Sequence, residues 1–105
     1  METVIDWKSP VLTEAMLVWT GWEKEAYPHR DDSRVLNHFG AKAGAELLPV
    51  LHSLAREFYM TDARDVADGL QEMGTIAAEQ FKKKHPEVAD EIVEALVWCY
   101  TFDFR

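Results

Sequence analysis

Hydrophobic residues recur at spacings of three and four in four stretches of this chain, which is the pattern of helices that bury one face. The first stretch begins where Ser9 can cap a helix and Pro10 can occupy its first position, and it fades before Pro28. Its apolar positions are Leu12, Ala15, Met16, Trp19 and Trp22. The pattern predicts a first helix over residues 10–26.

The second stretch carries the clearest apolar stripe of the chain, after a cap predicted at Asp32 or Ser33. The stripe consists of Leu36, Phe39, Ala43, Leu47, Val50, Leu51, Leu54 and Phe58. Pro49 lies within it, and a proline in a helix interior lacks a backbone donor and crowds the carbonyl four residues earlier. We therefore predict that helix two is kinked or broken near Pro49, at residues 47–48.

Two further helices follow. The third begins at Thr61 or Asp62 and ends in three lysines at 82–84, and its stripe is Val66, Leu70, Met73, Ala77 and Phe81. The fourth begins near residue 85, and its stripe is Val88, Ile92, Ala95, Leu96 and Cys99. Residues 3–7 and 101–105 alternate between apolar and polar positions, which indicates two short extended segments.

Four amphipathic helices with short connections predict an all-α protein, an antiparallel bundle of four to five helices. A chain of 105 residues, 48% of them hydrophobic, is long and apolar enough for one core, so we predict a single helical domain over residues 1–105. Its apolar runs are far shorter than the roughly 20 residues of a membrane helix, and its acidic start differs from a secretory signal. We therefore expect a cytoplasmic protein without membrane association.

The net charge of the chain narrows the classes of partner that it can bind. Nineteen acidic residues against eleven basic ones give a net charge of −8, which repels nucleic-acid phosphates and attracts basic surfaces. We therefore expect no nucleic acid and predict a partner protein with a basic surface.

Cys99 is the only cysteine and has apolar neighbours, so we predict that it is a core residue and forms no internal disulfide.

Carboxylates recur along the predicted third helix. Asp65, Asp68, Glu72 and Glu79 are spaced at three, four and seven, so one continuous helix would project them within a sector of about 60°. We predict that these four residues bind a partner, as a docking edge for a basic surface. The row also fits a site for a divalent cation, and such rows are typical of the solvated face of an acidic protein.

The fourth helix carries apolar residues outside its stripe. Trp98 is one of four tryptophans and lies beside Val93, Val97 and Tyr100 in the sequence. These residues predict a second apolar face that a partner or another copy would cover. We predict that Trp98 contacts a partner and that all four residues can form a homodimer surface, because twofold dimers are the commonest soluble oligomers.

Carboxylate pairs provide the alternative, enzymatic interpretation. Glu91 and Glu94 form an E-x-x-E pair and Glu87 and Asp90 form an E-x-x-D pair on the fourth helix, and Asp65 and Asp68 form a pair at the same spacing on the third. These pairs resemble those with which all-helical nucleotide pyrophosphatases hold magnesium. The resemblance implies a divalent-metal-dependent nucleotide hydrolase built from helix carboxylates.

The stretch around His38 allows a third interpretation. His38 is followed by Lys42 and Gly44, and this region resembles the signature of histidine phosphotransfer domains, which are also small acidic helical bundles. The signature has its lysine three residues after the histidine, whereas Lys42 comes four residues after it. The resemblance implies a phosphoryl carrier that acts through His38.

We predict no metal site, no cofactor and no catalytic residue. His38 and His52 are fourteen residues apart, or about 21 Å along an unbroken helix, too far to share a metal. The chain contains no glycine-rich phosphate loop, no C-x-x-C and no G-x-S-x-G. The sequence therefore favours a non-enzymatic interaction or regulatory module, of the general kind of adaptors, antitoxins and immunity proteins.

Overall fold

The computed structural model describes residues 9–104, of which 74% are helical and none lies in a strand. The helices are α1 Pro10–Thr20, α2 Asp32–Phe39, α3 Ala41–Tyr59, the single turn α4 Ala63–Val66, α5 Leu70–Lys84 and α6 Asp90–Asp103. The predicted all-α class is therefore confirmed. The predicted extended segment over residues 3–7 lies outside the described residues.

Helix α1 begins as predicted and ends earlier. Ser9 caps it, since its hydroxyl accepts a hydrogen bond from the Val11 amide at 3.2 Å. Gly21 ends it in the left-handed region at φ +80°, and its amide donates to the Leu17 carbonyl. The predicted extension to residue 26 is therefore wrong, because the chain turns at this glycine.

The predicted second helix is divided into α2 and α3. Asp31 caps α2 by accepting from the Ser33 amide at 3.0 Å, one residue before the predicted cap. The division lies at Gly40, where φ is +89° and ψ is 162°, a conformation that glycine tolerates best. One helix of the structure is bent, as predicted, but α3 continues through Pro49, so the break lies at Gly40 rather than at the proline.

The last two predicted helices also have different bounds. The predicted third helix is interrupted at residues 67–69, because Ala67 adopts an extended conformation with ψ 148°. Helix α6 begins at Asp90 rather than near residue 85, and it continues to Asp103. The extended segment predicted over residues 101–105 is therefore wrong, since residues 101–103 complete the last turn of α6.

Helix α6 lies at the centre of the core and contacts α1, α3 and α5. Its buried residues on several sides explain why its sequence is apolar nearly all round. Cys99 is 1% exposed, which confirms its predicted place in the core. Val66 and Leu70, by contrast, belong to the predicted third stripe and are 57% and 47% exposed, because the break at residues 67–69 turns them away from the core.

Two contacts show how α5 and α6 run. Gly74 lies against Val97 and Thr101, whereas Lys82 forms an ion pair with Asp90. The start of α5 thus meets the end of α6, as in antiparallel neighbours, and the antiparallel arrangement of the bundle as a whole stays a prediction. Within residues 9–104, none of the helices combines the length and apolar character that crossing a bilayer requires.

Candidate functional site: a groove between α5 and α6

A surface groove of about 610 Å³ runs between α5 and α6. Its apolar lining consists of Leu70 and Ala78 from α5 and of Val97, Trp98 and Phe102 from α6. A volume of this size lies within the range of sites that take up a ligand or the side chains of a partner. The groove is open to solvent, and we refer to it below as the α5–α6 groove.

A close approach of the two helices forms the floor of the α5–α6 groove. A β-carbon added at Gly74 would lie 3.1 Å from Val97 Cγ1 and 3.2 Å from Thr101 Cγ2. Thr101 is held in place because its hydroxyl donates to the Val97 carbonyl at 2.8 Å. Gly74 and Ala78 are one turn apart, so the small residues of α5 face α6 together.

Trp98, which was predicted to contact a partner, lies in the wall of the groove. It is partly buried, and its ring centroid is 5.2 Å from that of Trp22 on the loop after α1, at an interplanar angle of 56°. This pair fixes the orientation of the Trp98 ring while leaving part of it accessible. Trp22 Nε1 is buried and has no hydrogen-bond partner among the described residues.

The four predicted partner-binding carboxylates do not form one row. Asp65 lies on α4, Asp68 lies in the loop before α5, and Glu72 and Glu79 lie on α5. All four are exposed. The single helix face predicted for them is wrong, because the extended backbone at residues 67–69 separates the first two from the others.

No carboxylate lines the α5–α6 groove itself, but exposed carboxylates are helix neighbours of its lining residues on both helices. Thr75 lines the groove, and Glu72 and Glu79 are its neighbours three residues before and four residues after on the helix surface. Glu94 precedes Val97 by three residues on α6, so it lies one turn beyond the apolar lining. Glu72, Glu79 and Glu94 are all exposed, and together we call them the acidic rim.

Two of the four residues predicted to form a homodimer surface belong to the core. Val93 is 5% exposed and Tyr100 is 0% exposed, and the Tyr100 hydroxyl accepts a hydrogen bond from the Arg64 amide at 3.1 Å. Because α1, α3 and α5 all pack on α6, the part of its predicted second apolar face that Val93 and Tyr100 form is covered by the protein itself. Val97 and Trp98 are the two that reach the surface, where they line the groove.

A polar cluster that sequence patterns missed joins the loop before α2 to α3 and α6. Arg30 Nη1 donates to the Tyr59 hydroxyl at 2.6 Å, and that hydroxyl donates to Asp103. Arg30 also forms an ion pair with Asp103, with an N–O distance of 3.3 Å. Burial and the hydrogen bond to Asp103 raise the pKa of Tyr59 well above its usual range, so the hydroxyl stays protonated.

Cys99 lies beside the cluster of Arg30, Tyr59 and Asp103, on its core side. It lines a cavity of about 280 Å³ together with Arg30 and Asp103. Burial raises the pKa of the Cys99 thiol to about 11, and the nearby Arg30 only partly opposes this effect. At neutral pH the thiol is therefore protonated, which makes it a poor nucleophile.

His38 and His52 each lie near one carboxylate. His38 lies 3.4 Å from Glu14 of α1, and His52 lies 3.0 Å from Asp32 at the start of α2, which also accepts from Trp19 Nε1. His38 is on α2 and Lys42 is on α3, so the break at Gly40 separates the two residues of the phosphotransfer-like stretch. Among residues 9–104, no three His, Cys, Asp or Glu side chains gather in a group that could hold a metal ion.

Comparisons with known proteins identify no relative of this chain. No protein-family profile matches it, and neither the curated proteins nor the solved structures give a significant match. Function is therefore inferred from the chain's own residues.

Proposed function

We propose that the protein is a non-enzymatic interaction or regulatory module that binds an amphipathic helix of a partner protein in the α5–α6 groove. The observation that carries this proposal is the combination of an apolar groove with exposed carboxylates on both of its helices. A basic amphipathic helix has the complementary chemistry, because its apolar face fills such a groove while its lysines and arginines pair with the carboxylates. Under this proposal the protein would act in the cytoplasm as an adaptor or as an antitoxin-like or immunity-like protein.

The dimensions of the groove suit a short helical segment. The groove-lining residues of α5 extend from Leu70 to Ala78, which is about 12 Å at 1.5 Å per residue. A partner helix presents apolar side chains at i, i+3 or i+4, and i+7 over that length, so two turns fill the groove. Trp98 in the groove wall then acts as an anchor, since tryptophan is enriched among the few interface residues that contribute most of the binding free energy.

Charge favours a basic partner over a second copy of the chain. In a twofold dimer the acidic rim of one copy would approach the acidic rim of the other, in a protein of net charge −8. Burial of Val93 and Tyr100 also leaves less apolar surface for self-association than the sequence predicted. A homodimer is therefore the alternative occupant, and sedimentation of the free protein tests for it.

Binding of synthetic helices tests the proposal directly. One peptide would carry apolar residues at helical spacing with lysine flanks, and its matched control would carry glutamate flanks. We expect calorimetry to show saturable binding of the lysine peptide, weakened by salt as expected for exposed charge pairs. Trp98→Ala should reduce its affinity at least tenfold, the effect of about 1.4 kcal/mol. Equal binding of both peptides, or of neither, would contradict the proposal.

Magnesium distinguishes this proposal from the hydrolase alternative. A metal that binds the folded state stabilises it by about 2.7 kcal/mol at a hundred times its dissociation constant. We expect magnesium and manganese to leave the melting temperature unchanged. A clear increase would instead favour a metal site formed by the helix carboxylates.

A further inference from the structure

A second concave site lies on α3, apart from the α5–α6 groove. Its volume is about 240 Å³, and its lining residues are Arg30, His52, Ala55, Arg56 and Tyr59. None of these lining residues is acidic, although the chain carries nineteen acidic residues and a net charge of −8. The site shares no lining residue with the groove, so it stands independently of the function proposed above.

One helix face and one loop form this site. His52, Arg56 and Tyr59 occupy positions i, i+4 and i+7 of α3, which places them on the same face. Arg30 is supplied by the loop before α2, and its guanidinium carbon lies 4.9 Å from the centroid of the Tyr59 ring. Because Arg30 also donates to the Tyr59 hydroxyl, its position relative to α3 is fixed.

Carboxylates neighbour the basic side chains of the site unequally. Asp32 pairs with His52 and Asp103 pairs with Arg30, and neither carboxylate belongs to the lining. Arg56 is exposed and makes no ion pair with any residue that the structure describes. No carboxylate among the described residues therefore neutralises its guanidinium group, which can donate to a ligand in the site.

We propose that this site binds a single phosphate group, either inorganic phosphate or a phosphate monoester. The two guanidinium groups supply planar pairs of donors that match phosphate oxygens. The three terminal oxygens of a phosphate group can accept from both guanidinium groups at once, whereas a carboxylate presents only two oxygens. His52, whose Nε2 is held by Asp32, completes the lining beside the two arginines. The volume is below the roughly 300 Å³ at which sites for drug-sized ligands begin, so the site itself has the size for one tetrahedral group, and the rest of a monoester would extend into solvent.

Titration with two phosphate compounds tests the site. Inorganic phosphate and phosphoserine would each be added at constant ionic strength, with chloride as the reference anion, while NMR follows the His52 imidazole and the α3 amides. We expect saturable shifts confined to the residues of the site. Binding of inorganic phosphate alone would indicate the free ion, and tighter binding of phosphoserine would indicate a phosphorylated residue as the natural ligand.

A matched pair of variants separates a specific site from general charge attraction. Arg56→Gln should weaken binding about tenfold or more, because it removes hydrogen bonds to a charged group. Lys42→Gln makes the same change of charge at an exposed position on the same helix and outside the lining, so it should change affinity less than about twofold. Equal losses in the two variants, or no saturable binding of either compound to the parent protein, would overturn the proposal.

Discussion

Gly74 lies so close to Val97 across the α5–α6 interface that a β-carbon at position 74 would come within 3.1 Å of Val97 Cγ1. Thr101 Cγ2 would be 3.2 Å from the same β-carbon. Both distances are tighter than normal packing allows without movement of the neighbouring side chain. The glycine thus determines how near the two helices approach, and with it the depth of the α5–α6 groove.

Replacement of this glycine measures the closeness of the interface. Gly74→Ala gains up to about 1 kcal/mol of helix propensity, whereas overpacking of a core contact costs about 1–3 kcal/mol. Val97 is β-branched and Thr101 is hydrogen-bonded to it, so neither side chain can turn away easily. We expect a net loss of about 1 kcal/mol in urea unfolding. The control is Gly69→Ala, where nothing lies within 4 Å, and an equal loss there would contradict the argument.

The division of the acidic residues between α4, a loop and α5 leads to a second prediction. The double substitution Glu72→Lys with Glu79→Lys reverses charges of the acidic rim, so we expect it to abolish binding of the lysine-flanked peptide. Asp65→Lys with Asp68→Lys makes the same change of net charge before the break at residues 67–69, and it should leave most of the affinity. Calorimetry at two salt concentrations compares the variants. Equal losses would indicate that the whole acidic surface, rather than the rim, attracts the partner.

Periodicity was sufficient to predict the fold class, and it failed where single residues end a helix. The apolar stripes identified the core residues Trp19, Leu54 and Phe81, because a helix must bury one face whatever its exact ends. The stripe of the second predicted helix, however, continues across Gly40 with no change of phase. Proline is the stronger helix breaker, yet α3 continues through Pro49. Leu51 and Leu54 are buried in the part of α3 that follows the proline, and their packing stabilises the helix there.

The two candidate sites differ in how far the sequence revealed them. Trp98 was identified from composition and from its place beside the stripe of the last helix. The groove itself required knowledge of which helix packs beside α6, although the spacing of Gly74 and Ala78 is a signal for close helix contact. The phosphate-site residues Arg30 and Arg56 are 26 positions apart and belong to different elements, so no local pattern relates them.

The cluster of Arg30, Tyr59 and Asp103 gives a third prediction. Tyr59→Phe removes the hydroxyl that lies between the two charged groups, and we expect it to cost about 1 kcal/mol of stability in urea unfolding. The expected loss is modest because the Arg30 and Asp103 side chains are 34% and 37% exposed and thus partly screened by water. In a double-mutant cycle of Tyr59→Phe with Asp103→Asn, we expect a coupling free energy that is also about 1 kcal/mol. Additive losses would show that the three groups act separately.

Burial of Cys99 gives the fourth prediction, which concerns alkaline pH. The folded state raises the pKa of the thiol from 9.0 to about 11, so between these values the unfolded chain loses its proton first and stability falls as pH rises. We expect Cys99 to contribute a loss of about 2 kcal/mol between pH 8 and about pH 10.5. The raised pKa of Tyr59 lowers stability further above pH 10, and this second effect is also present in the Cys99→Ala variant. Urea unfolding of both proteins across this range should therefore give a steeper decline for the parent, whereas parallel curves would show that the thiol ionises equally readily in both states.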